Sequence, residues 1–378
     1  MPSGTPLSYI ELSKKNLIHN FKEFRDLAKA GTKFVVVIKG NAYGHGQNEV
    51  AKVLEPYVDY FQIDSIEELR LLRKVTKKKV LVFGYIQDSE LSEAVGLGCT
   101  MGIFSIKQLR EINKIAQRLK IAQRVHVPVD AHLGREGFLM GELKKVFSEV
   151  RKLKNIKVTG LYAHFANIED TQNFSHAQKQ INKYREIQEL AEEFGLKNLE
   201  KHISSTSGIL VYEKNIGANP LVRLGIGVYG MWPSEYMGLL YQNKMTLKPI
   251  LTWKTKVAQI KTLPADHTIG YGLTYKTKRE TKIALIPQGY ADGVDRGLSN
   301  KGEFLIGGTR CKILGRVSMN MTVVDVSDLP KVKQGDEVVI IGSQGRGRIT
   351  AEEIAEKIGT INYEVTTRIS ALLPRIVV

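Results

Sequence analysis

The chain has little of what marks a secreted, metal-binding or membrane protein. Its two cysteines, Cys99 and Cys311, stand far apart in 378 residues and form neither a metal motif nor a disulfide framework. No run approaches the roughly 20 apolar residues that a membrane helix needs. Residues 1–6 lack the basic and apolar regions of a signal peptide. We therefore expect a cytoplasmic protein that holds no metal ion.

Acidic residues are also scarce, with 39 Asp and Glu against 55 Lys and Arg, which gives a net charge of +16. Such an excess is one mark of nucleic-acid binders. The basic residues are spread among helical stretches, however, and none of the basic segments is interleaved with aromatic side chains. We interpret the charge as a lysine-rich solvated surface, and we expect neither a nucleic acid nor a membrane as a partner.

Apolar strand-like segments alternate with helical ones through the first 240 residues. The predicted strands are residues 34–38, 60–63, 80–83, 100–104, 124–129, 157–163, 202–204 and 221–228. Eight strands that alternate with helices predict an α/β fold, a (β/α)8 TIM-type barrel. After residue 240 the strands become short, β-branched and turn-separated, which indicates a mostly antiparallel C-terminal β domain. The predicted strands of this part are residues 251–262, 282–286, 311–314, 321–326 and 337–341. The predicted domains are residues 1–240 and 241–378, with residues 1–12 available to pair with the second.

The first buried strand ends in a lysine and a glycine-rich loop, in the stretch VVVIKGNAYGHG. Active sites of such barrels lie at the C-terminal ends of the strands, which is where Lys39 stands. A lysine amine in a pocket can form a Schiff base with a carbonyl. The glycines of residues 40–46 allow close approach of the backbone to a ligand, and Tyr43 offers a hydroxyl to an anion. The alternative is a strand that ends in a solvated lysine and a turn.

Further polar residues stand at equivalent strand ends. Arg135 follows the fifth predicted strand, His164 ends the sixth, Ser205 and Thr206 follow the seventh, and Arg223 lies in the eighth. Parallel barrel strands would bring these side chains to the same mouth as the lysine. Taken singly, each also has an ordinary structural interpretation, such as a core histidine, turn-forming hydroxyls or an arginine that extends its charged end from a strand.

Several segments resemble those of the alanine racemases, (β/α)8-barrel enzymes that use pyridoxal 5′-phosphate (PLP). VVVIKGNAYGHG is similar to their lysine segment, VVKADAYGHG, and VRLGIGVYG around Arg223 resembles their VRxGIxxYG. HTIGYGLTY around Tyr271 resembles their second-base segment. Residues 129–138, 289–293, 315–320 and 361–365 extend the resemblance over essentially the whole length.

The resemblance implies a two-base racemisation of alanine. Lys39 would hold PLP and serve one face of the substrate α-carbon, and Tyr271 would serve the other face from the second subunit of a homodimer. His164 would hydrogen-bond to that tyrosine and contact Arg223, which faces the pyridine nitrogen. Arginine donates to this nitrogen but cannot protonate it, so the ring stays a weaker electron sink. Read without the family, Tyr271 is an ordinary turn tyrosine.

The same resemblance supplies the remaining ligands. The phosphate would be held by Tyr43, Ser205, Thr206 and the backbone amides of Gly225 and Ile226, which form a concave nest of donors. The substrate would be held by Arg135 through its planar guanidinium, by the backbone at Met319, and near the entrance by Tyr290.

Three positions depart from the family pattern. Pro128 stands where many members have a lysine, carbamylated in several, that orients the following arginine by charge. Asn320 replaces the usual aspartate beside Met319, and Ala371 replaces a larger residue, which would leave the entrance wider. These departures keep open a broader racemase that acts on serine or larger amino acids.

A non-catalytic PLP-binding protein is a second alternative, although such proteins resemble the barrel half alone. A PLP-dependent decarboxylase fits the Tyr271 segment poorly. The favoured hypothesis is an alanine racemase that supplies D-alanine for cell-wall peptidoglycan.

Overall fold

A computed structural model describes residue 4, residues 6–212 and residues 220–378. The chain divides into two compact units. The barrel unit comprises Leu17–Lys39 and Val50–Lys248. The β unit comprises Pro249–Val378, Gly40–Glu49 and the N-terminal residues up to Asn16, which include strand β1 (Tyr9–Leu12).

The barrel unit contains eight parallel strands among its described residues. They are β2 (Lys33–Val37), β3 (Tyr60–Ile63), β4 (Lys79–Val82), β5 (Thr100–Gly102), β6 (Gln123–Pro128), β7 (Ile156–Tyr162), β8 (Glu200–His202) and β9 (Leu221–Leu224). The sheet order is β8-β7-β6-β5-β4-β3-β2-β9. A bridge between Lys201 and Pro220 joins the two ends, so the barrel is nearly closed. This confirms the predicted barrel.

Helices alternate with these strands along the chain. They are α1 (Lys14–Leu27), α2 (Gln47–Leu54), α3 (Ile66–Arg73), α4 (Leu91–Gly96), α5 (Ile106–Arg118), α6 (Met140–Lys152), α7 (Ser175–Glu193), α8 (Thr206–Tyr212) and α9 (Glu235–Tyr241). Helix α3 shows why they begin where they do: Ser65 and Glu68 form a reciprocal capping box at its start. Its buried face is the apolar stripe Ile66, Leu69 and Leu72.

The β unit is built from short strands and two helices. They are β10 (Leu251–Lys256), β11 (Gln259–Leu263), β12 (Thr268–Ile269), β13 (Tyr275–Lys276), β14 (Thr281–Ile286), β15 (Glu303–Ile306), β16 (Thr309–Lys312), β17 (Thr322–Asp325), β18 (Glu337–Gln344), β19 (Gly347–Ile349), β20 (Arg375–Val377), α10 (Ala351–Ile358) and α11 (Asn362–Thr367). One sheet has the order β16-β15-β18-β10-β1-β20, with β19 on β18, and another has the order β11-β14-β17. Only the β1–β20 pair is parallel among the described pairs of this unit, which confirms a mostly antiparallel domain.

Two strands predicted from the sequence end well before their expected last residues. The single strand expected over residues 251–262 is wrong, because β10 and β11 belong to different sheets. The chain changes sheets at Val257, whose N–H bonds to Asp336 O, and Ala258, whose N–H bonds to Leu285 O. The eighth barrel strand ends at Leu224, because Gly225 leaves the extended conformation with φ −104° and ψ −113°.

A left-handed helical turn follows Lys39 directly. The φ angles of Gly40, Asn41, Ala42 and Tyr43 lie between +53° and +59°. Each of the three non-glycine residues costs about 1–2 kcal/mol in this conformation. Because consecutive left-handed residues are rare outside glycine, the surrounding structure must hold this turn in place.

The left-handed turn is held from within the β unit. Arg375 donates from Nη2 to Gly44 O at 2.8 Å, which ties the turn to strand β20. His45 is buried, and its Nδ1 lies 2.9 Å from Ala42 O. At Gly44 a Cβ atom would lie 1.8 Å from Thr366 O, so a glycine is required there. The backbone after Lys39 is therefore fixed by residues close to the C-terminal strand.

Candidate active site

Lys39 lies at the C-terminal end of β2, immediately after the buried residue Ile38. Its Nζ donates to Asp64 Oδ2 at 2.7 Å, and the two side chains are 43% and 37% exposed. Asp64 follows β3 directly. This aspartate is not among the residues predicted from the sequence, although its place directly after a barrel strand was the available signal. The lysine ammonium thus has an adjacent carboxylate at the barrel mouth.

Arg223 is the buried cation of the site, and it lies on β9 beside β2, in register with Val35. Its Nη1 donates to His202 Nδ1 at 2.7 Å. Its Nη2 donates to Ala163 O at 2.8 Å and to His164 Nδ1 at 3.3 Å. Burial lowers the pKa of the arginine from its usual value, yet arginine stays protonated at neutral pH. Its orientation is therefore fixed by two histidines and a carbonyl.

His164 accepts a hydrogen bond from this arginine. Burial lowers its pKa to about 3, and the positive charges of Arg223 and Arg135 act in the same direction. The histidine is consequently neutral at physiological pH. A neutral imidazole whose Nδ1 accepts has its proton on Nε2, so His164 can donate from that atom.

Arg135 lies in the loop after β6 and is paired with its neighbour Glu136. Its Nη2 donates to Glu136 Oε1 at 2.9 Å, and its Nε donates to Oε2 in a second, parallel bond. This bidentate pair raises the pKa of Arg135. Pro128 ends β6 without a charge. Glu136, which the sequence analysis missed, is thus the carboxylate that fixes the guanidinium of Arg135.

Hydroxyl groups gather after β8. Thr206 Oγ1 accepts hydrogen bonds from Gly225 N at 3.1 Å and Gly227 N at 3.4 Å, and Ser205 is half-buried beside it. Ser204 is fully buried, and its Oγ has no hydrogen-bond partner within the part of the chain that the structure describes. An orphaned hydroxyl, a threonine hydroxyl and glycine amides suit an oxyanion. Ser204 was missed because it was assigned to the predicted strand 202–204, and the phosphate role was given to the two hydroxyl residues that follow.

The remaining candidates lie in the β unit, and all of them except the half-buried Tyr43 are exposed. Tyr271 begins the 3-10 turn between β12 and β13 and is 73% exposed. Tyr290 and Met319 lie on neighbouring segments, since Ala291 N donates to Met319 O at 2.9 Å. The Tyr43 ring lies 5.9 Å from that of Tyr363.

The donor set fits PLP. An amine for the aldehyde, a buried guanidinium for the pyridine nitrogen and a hydroxyl cluster for the phosphate all lie at strand ends of the barrel unit. Among the described residues, no group of three or more His, Cys, Asp or Glu side chains could hold a metal ion. None of the helices in the described part of the chain is both long and apolar enough to cross a membrane.

Comparisons with known proteins agree with this geometry. Residues 12–233 match the family model "Alanine racemase, N-terminal domain" and residues 250–377 match "Alanine racemase, C-terminal domain". The alanine racemase of Leptospira interrogans is 36% identical over 379 residues, covering 98% of this chain and 96% of that protein.

Solved structures give the same result. The alanine racemase of Clostridium difficile 630 has a TM-score of 0.91 and 32% identity over 99% of this chain and 96% of that one. The alanine racemase of Bacillus anthracis with bound L-Ala-P has a TM-score of 0.92 and 30% identity over 99% and 95% of the two chains.

The fold is that of an enzyme of the barrel class, and a lysine amine lies at the C-terminal end of one of its strands. The chain belongs to the alanine racemase family. Its full-length relatives and structural neighbours support alanine racemase as its activity, and membership of this family implies PLP.

Proposed function

We propose that the chain interconverts L-alanine and D-alanine with PLP bound at Lys39. The observation that carries the proposal is the placement of Lys39 just after β2 and of Arg223 on the adjacent strand β9. When bound, PLP withdraws electrons from the substrate α-carbon and so makes its proton removable. The residues of the chain bind and orient the cofactor and the substrate, and they transfer the protons.

Cofactor binding is assigned to residues at the strand ends. Lys39 holds the aldehyde carbon, and Arg223 donates to the pyridine nitrogen. The phosphate is assigned to the hydroxyls and amides expected from the family resemblance, with the buried Ser204 added from the structure: Tyr43, Ser204, Ser205, Thr206, Gly225 and Ile226. Because arginine donates without giving up its proton, Arg223 would hold the ring nitrogen without protonating it.

Proton transfer is assigned to one base on each face of the α-carbon. Lys39 Nζ takes or gives the proton on one face, and the neighbouring Asp64 carboxylate stabilises its charged form. Tyr271 from a second copy of the chain serves the other face, hydrogen-bonded to the Nε2 of His164. Its exposure in the single chain is in keeping with a role completed by another subunit.

Substrate binding is assigned to Arg135, whose guanidinium receives the alanine carboxylate while Glu136 holds its other edge. The backbone at Met319 assists, and Tyr290 stands near the entrance. We further propose that the protein acts as a homodimer in the cytoplasm and supplies D-alanine for peptidoglycan.

Replacing Tyr271→Phe tests the two-base assignment. With PLP and pure L-alanine in heavy water, racemisation should fall by about 10²–10⁴-fold, because one general base is lost. Cofactor binding, read from visible absorbance, should persist. The matched control is Tyr275→Phe, which removes a hydroxyl from the same hairpin and should leave the rate unchanged.

The outcomes separate the alternatives. Equal racemisation by the Tyr271→Phe variant and the wild type would end the assignment of Tyr271. If L-alanine keeps its configuration while serine or larger amino acids are racemised, the protein is the broader racemase. A bound cofactor with no α-proton exchange for any amino acid would leave a PLP-binding protein without activity.

A further inference from the structure

A chain of buried polar side chains runs from the arginine of the site into the barrel interior. Arg223 Nη1 lies 2.7 Å from His202 Nδ1, and His202 Nε2 lies 3.0 Å from His126 Nδ1. His126 Nε2 then lies 3.5 Å from Glu200 Oε2. Each of these four residues is 6% exposed or less. None of the cofactor or substrate roles assigned above uses His126 or Glu200.

The two ends of this chain together set the direction of its hydrogen bonds, because a guanidinium only donates and an ionised carboxylate only accepts. A guanidinium has donors only, so His202 Nδ1 must accept from Arg223. A neutral His202 then carries its proton on Nε2 and donates it to His126 Nδ1. His126 in turn carries its proton on Nε2, which points at the carboxylate of Glu200. Burial lowers the pKa of both histidines, and so keeps them neutral.

Glu200 is the acceptor at which the chain ends. Its Oε1 accepts from Lys33 Nζ at 2.6 Å and from Tyr60 Oη at 2.8 Å. Burial alone would raise its pKa, but hydrogen bonds from His126, Lys33 and Tyr60 outweigh burial and lower the pKa to about 2. Within the described residues, neither His126 Nε2 nor Glu200 Oε2 has a partner in full hydrogen-bond geometry, and the two atoms lie 3.5 Å from each other. The ionised carboxylate and the imidazole proton therefore face only each other.

The barrel makes room for this chain. At Gly160 on β7, a Cβ atom would lie 2.5–2.6 Å from three ring atoms of His126, so only glycine leaves space for the imidazole. The pairing of β6 with β7 shifts register between Val125 and His126. Such irregularities change the direction in which a side chain points from its strand. The ring of Tyr162 stacks on His202 with a centroid distance of 5.3 Å.

We propose that Glu200 and His126 are positioning residues for the racemase reaction, which fix His202 in its Nε2–H form so that Arg223 keeps its orientation. The proposal rests on the role assigned to Arg223 above. Among the described residues, no carboxylate pairs directly with Arg223, so the countercharge reaches it through the two neutral histidines. Without the carboxylate, the histidines can carry their protons on either Nε2 or Nδ1. A proton on His202 Nδ1 would face the N–H of Arg223, so that two donors oppose each other.

Replacing Glu200→Gln reverses the chain without changing its shape. Lys33 can only donate, so the new amide oxygen stays on its side and the amide N–H turns toward His126 Nε2. His126 must then accept there and carry its proton on Nδ1. That proton is donated to His202 Nε2, which moves the His202 proton onto Nδ1 and against the N–H of Arg223.

The experiment is ¹⁵N solid-state NMR of the full chain, loaded with PLP and labelled at histidine. Protonated and unprotonated ring nitrogens give separate signals, and a His126→Asn sample assigns the peaks. Glu200→Asp keeps the carboxylate and should keep the wild-type pattern. Glu192→Gln is the matched control, because it removes an exposed carboxylate that pairs with Lys201 at 2.9 Å outside the buried chain.

We expect His126 and His202 to carry protons on Nε2 in the wild type and the two control variants, and on Nδ1 in the Glu200→Gln variant. The kcat for alanine should fall by about 10–100-fold in that variant alone, as when outer-shell partners of oriented histidines are removed at metal sites. A Glu200→Asp variant that recovers most of the rate would exclude a merely structural role.

Three results would overturn the proposal. They are a wild type with Nδ1–H or doubly protonated histidines, an unchanged pattern in a folded Glu200→Gln variant, and a changed pattern with unchanged kcat. The NMR pattern is independent of turnover. A wild type with the expected protons but no activity on alanine would therefore refute the proposed function and leave the hydrogen-bond chain intact.

Discussion

Gly44→Ala tests whether the left-handed turn after Lys39 is held as the structure shows. The new Cβ would lie 1.8 Å from Thr366 O and 2.6 Å from Thr366 C, both backbone atoms. Ordinary contacts begin near 3.4 Å, so one of the two segments has to move by more than 1 Å. Such overpacking costs about 1–3 kcal/mol.

Two further costs add to the overlap. An alanine at φ +84° is strained by about 1–2 kcal/mol, and displacement of Gly44 O weakens its hydrogen bond from Arg375, worth about 1 kcal/mol. We therefore expect a total loss of about 3–6 kcal/mol. The matched control is Gly335→Ala in the same unit, which has φ +88° and open space around its Cβ position. It should lose only the strain, about 1–2 kcal/mol.

Urea unfolding of both variants, followed by intrinsic fluorescence, measures the difference. PLP titration should also show weaker cofactor binding for Gly44→Ala alone, because the displaced turn directly follows Lys39. If both variants lose the same stability within 0.5 kcal/mol, roughly the error of such comparisons, the close approach of Gly44 to residue 366 is refuted.

Two other predictions concern buried histidines. Gly160→Ala should displace the His126 ring and lower the free energy of unfolding by about 1–3 kcal/mol. The control Gly141→Ala in α6, where the Cβ position is open, should be neutral or stabilising in urea unfolding. Equal effects of the two variants would contradict the packing around His126. Burial lowers the pKa of His45 to about 4, so the unfolded chain binds a proton there that the folded chain does not. The free energy of unfolding is therefore unaffected by His45 above about pH 6.5, and this residue lowers it by about 3 kcal/mol as the pH drops to 4. A His45→Gln variant should therefore lose less stability than the wild type between pH 7 and 4 in urea unfolding, and identical pH slopes would show that His45 titrates normally.

The barrel could be predicted because its strands are buried on both faces. Residues 34–38 are a continuous apolar run, and such runs separated by helical periods favour parallel strands. The β unit was harder, because half-exposed antiparallel strands carry weaker signals. Strand β11 is largely exposed, so no burial pattern separated it from β10, and β15 was missed altogether.

The strand-end residues of the site were predictable for the same reason as the barrel. Lys39 and Arg223 follow or lie in buried strands, and the resemblance to a family gave them roles. Glu136 and Asp64 were missed because charged residues in loops are usually solvated. The pairing of Glu200 with His126 joins residues 74 positions apart, with no local pattern to indicate it. The left-handed conformation of Ala42 and Tyr43 opposes intrinsic preference, so propensity could not reveal it.

The parallel pairing of β1 with β20 has a consequence for synthesis on the ribosome. Strand β1 is made about 240 residues before its neighbour β10, and longer still before β20. At about 5–20 residues per second, it waits roughly 12–48 s for its first partner. The left-handed turn after Lys39 waits longer than β1 waits for β10, because its hydrogen-bond partner Arg375 lies in β20. The barrel strands can therefore pair during translation, whereas the backbone that holds the lysine is secured only once the C-terminal strand has emerged.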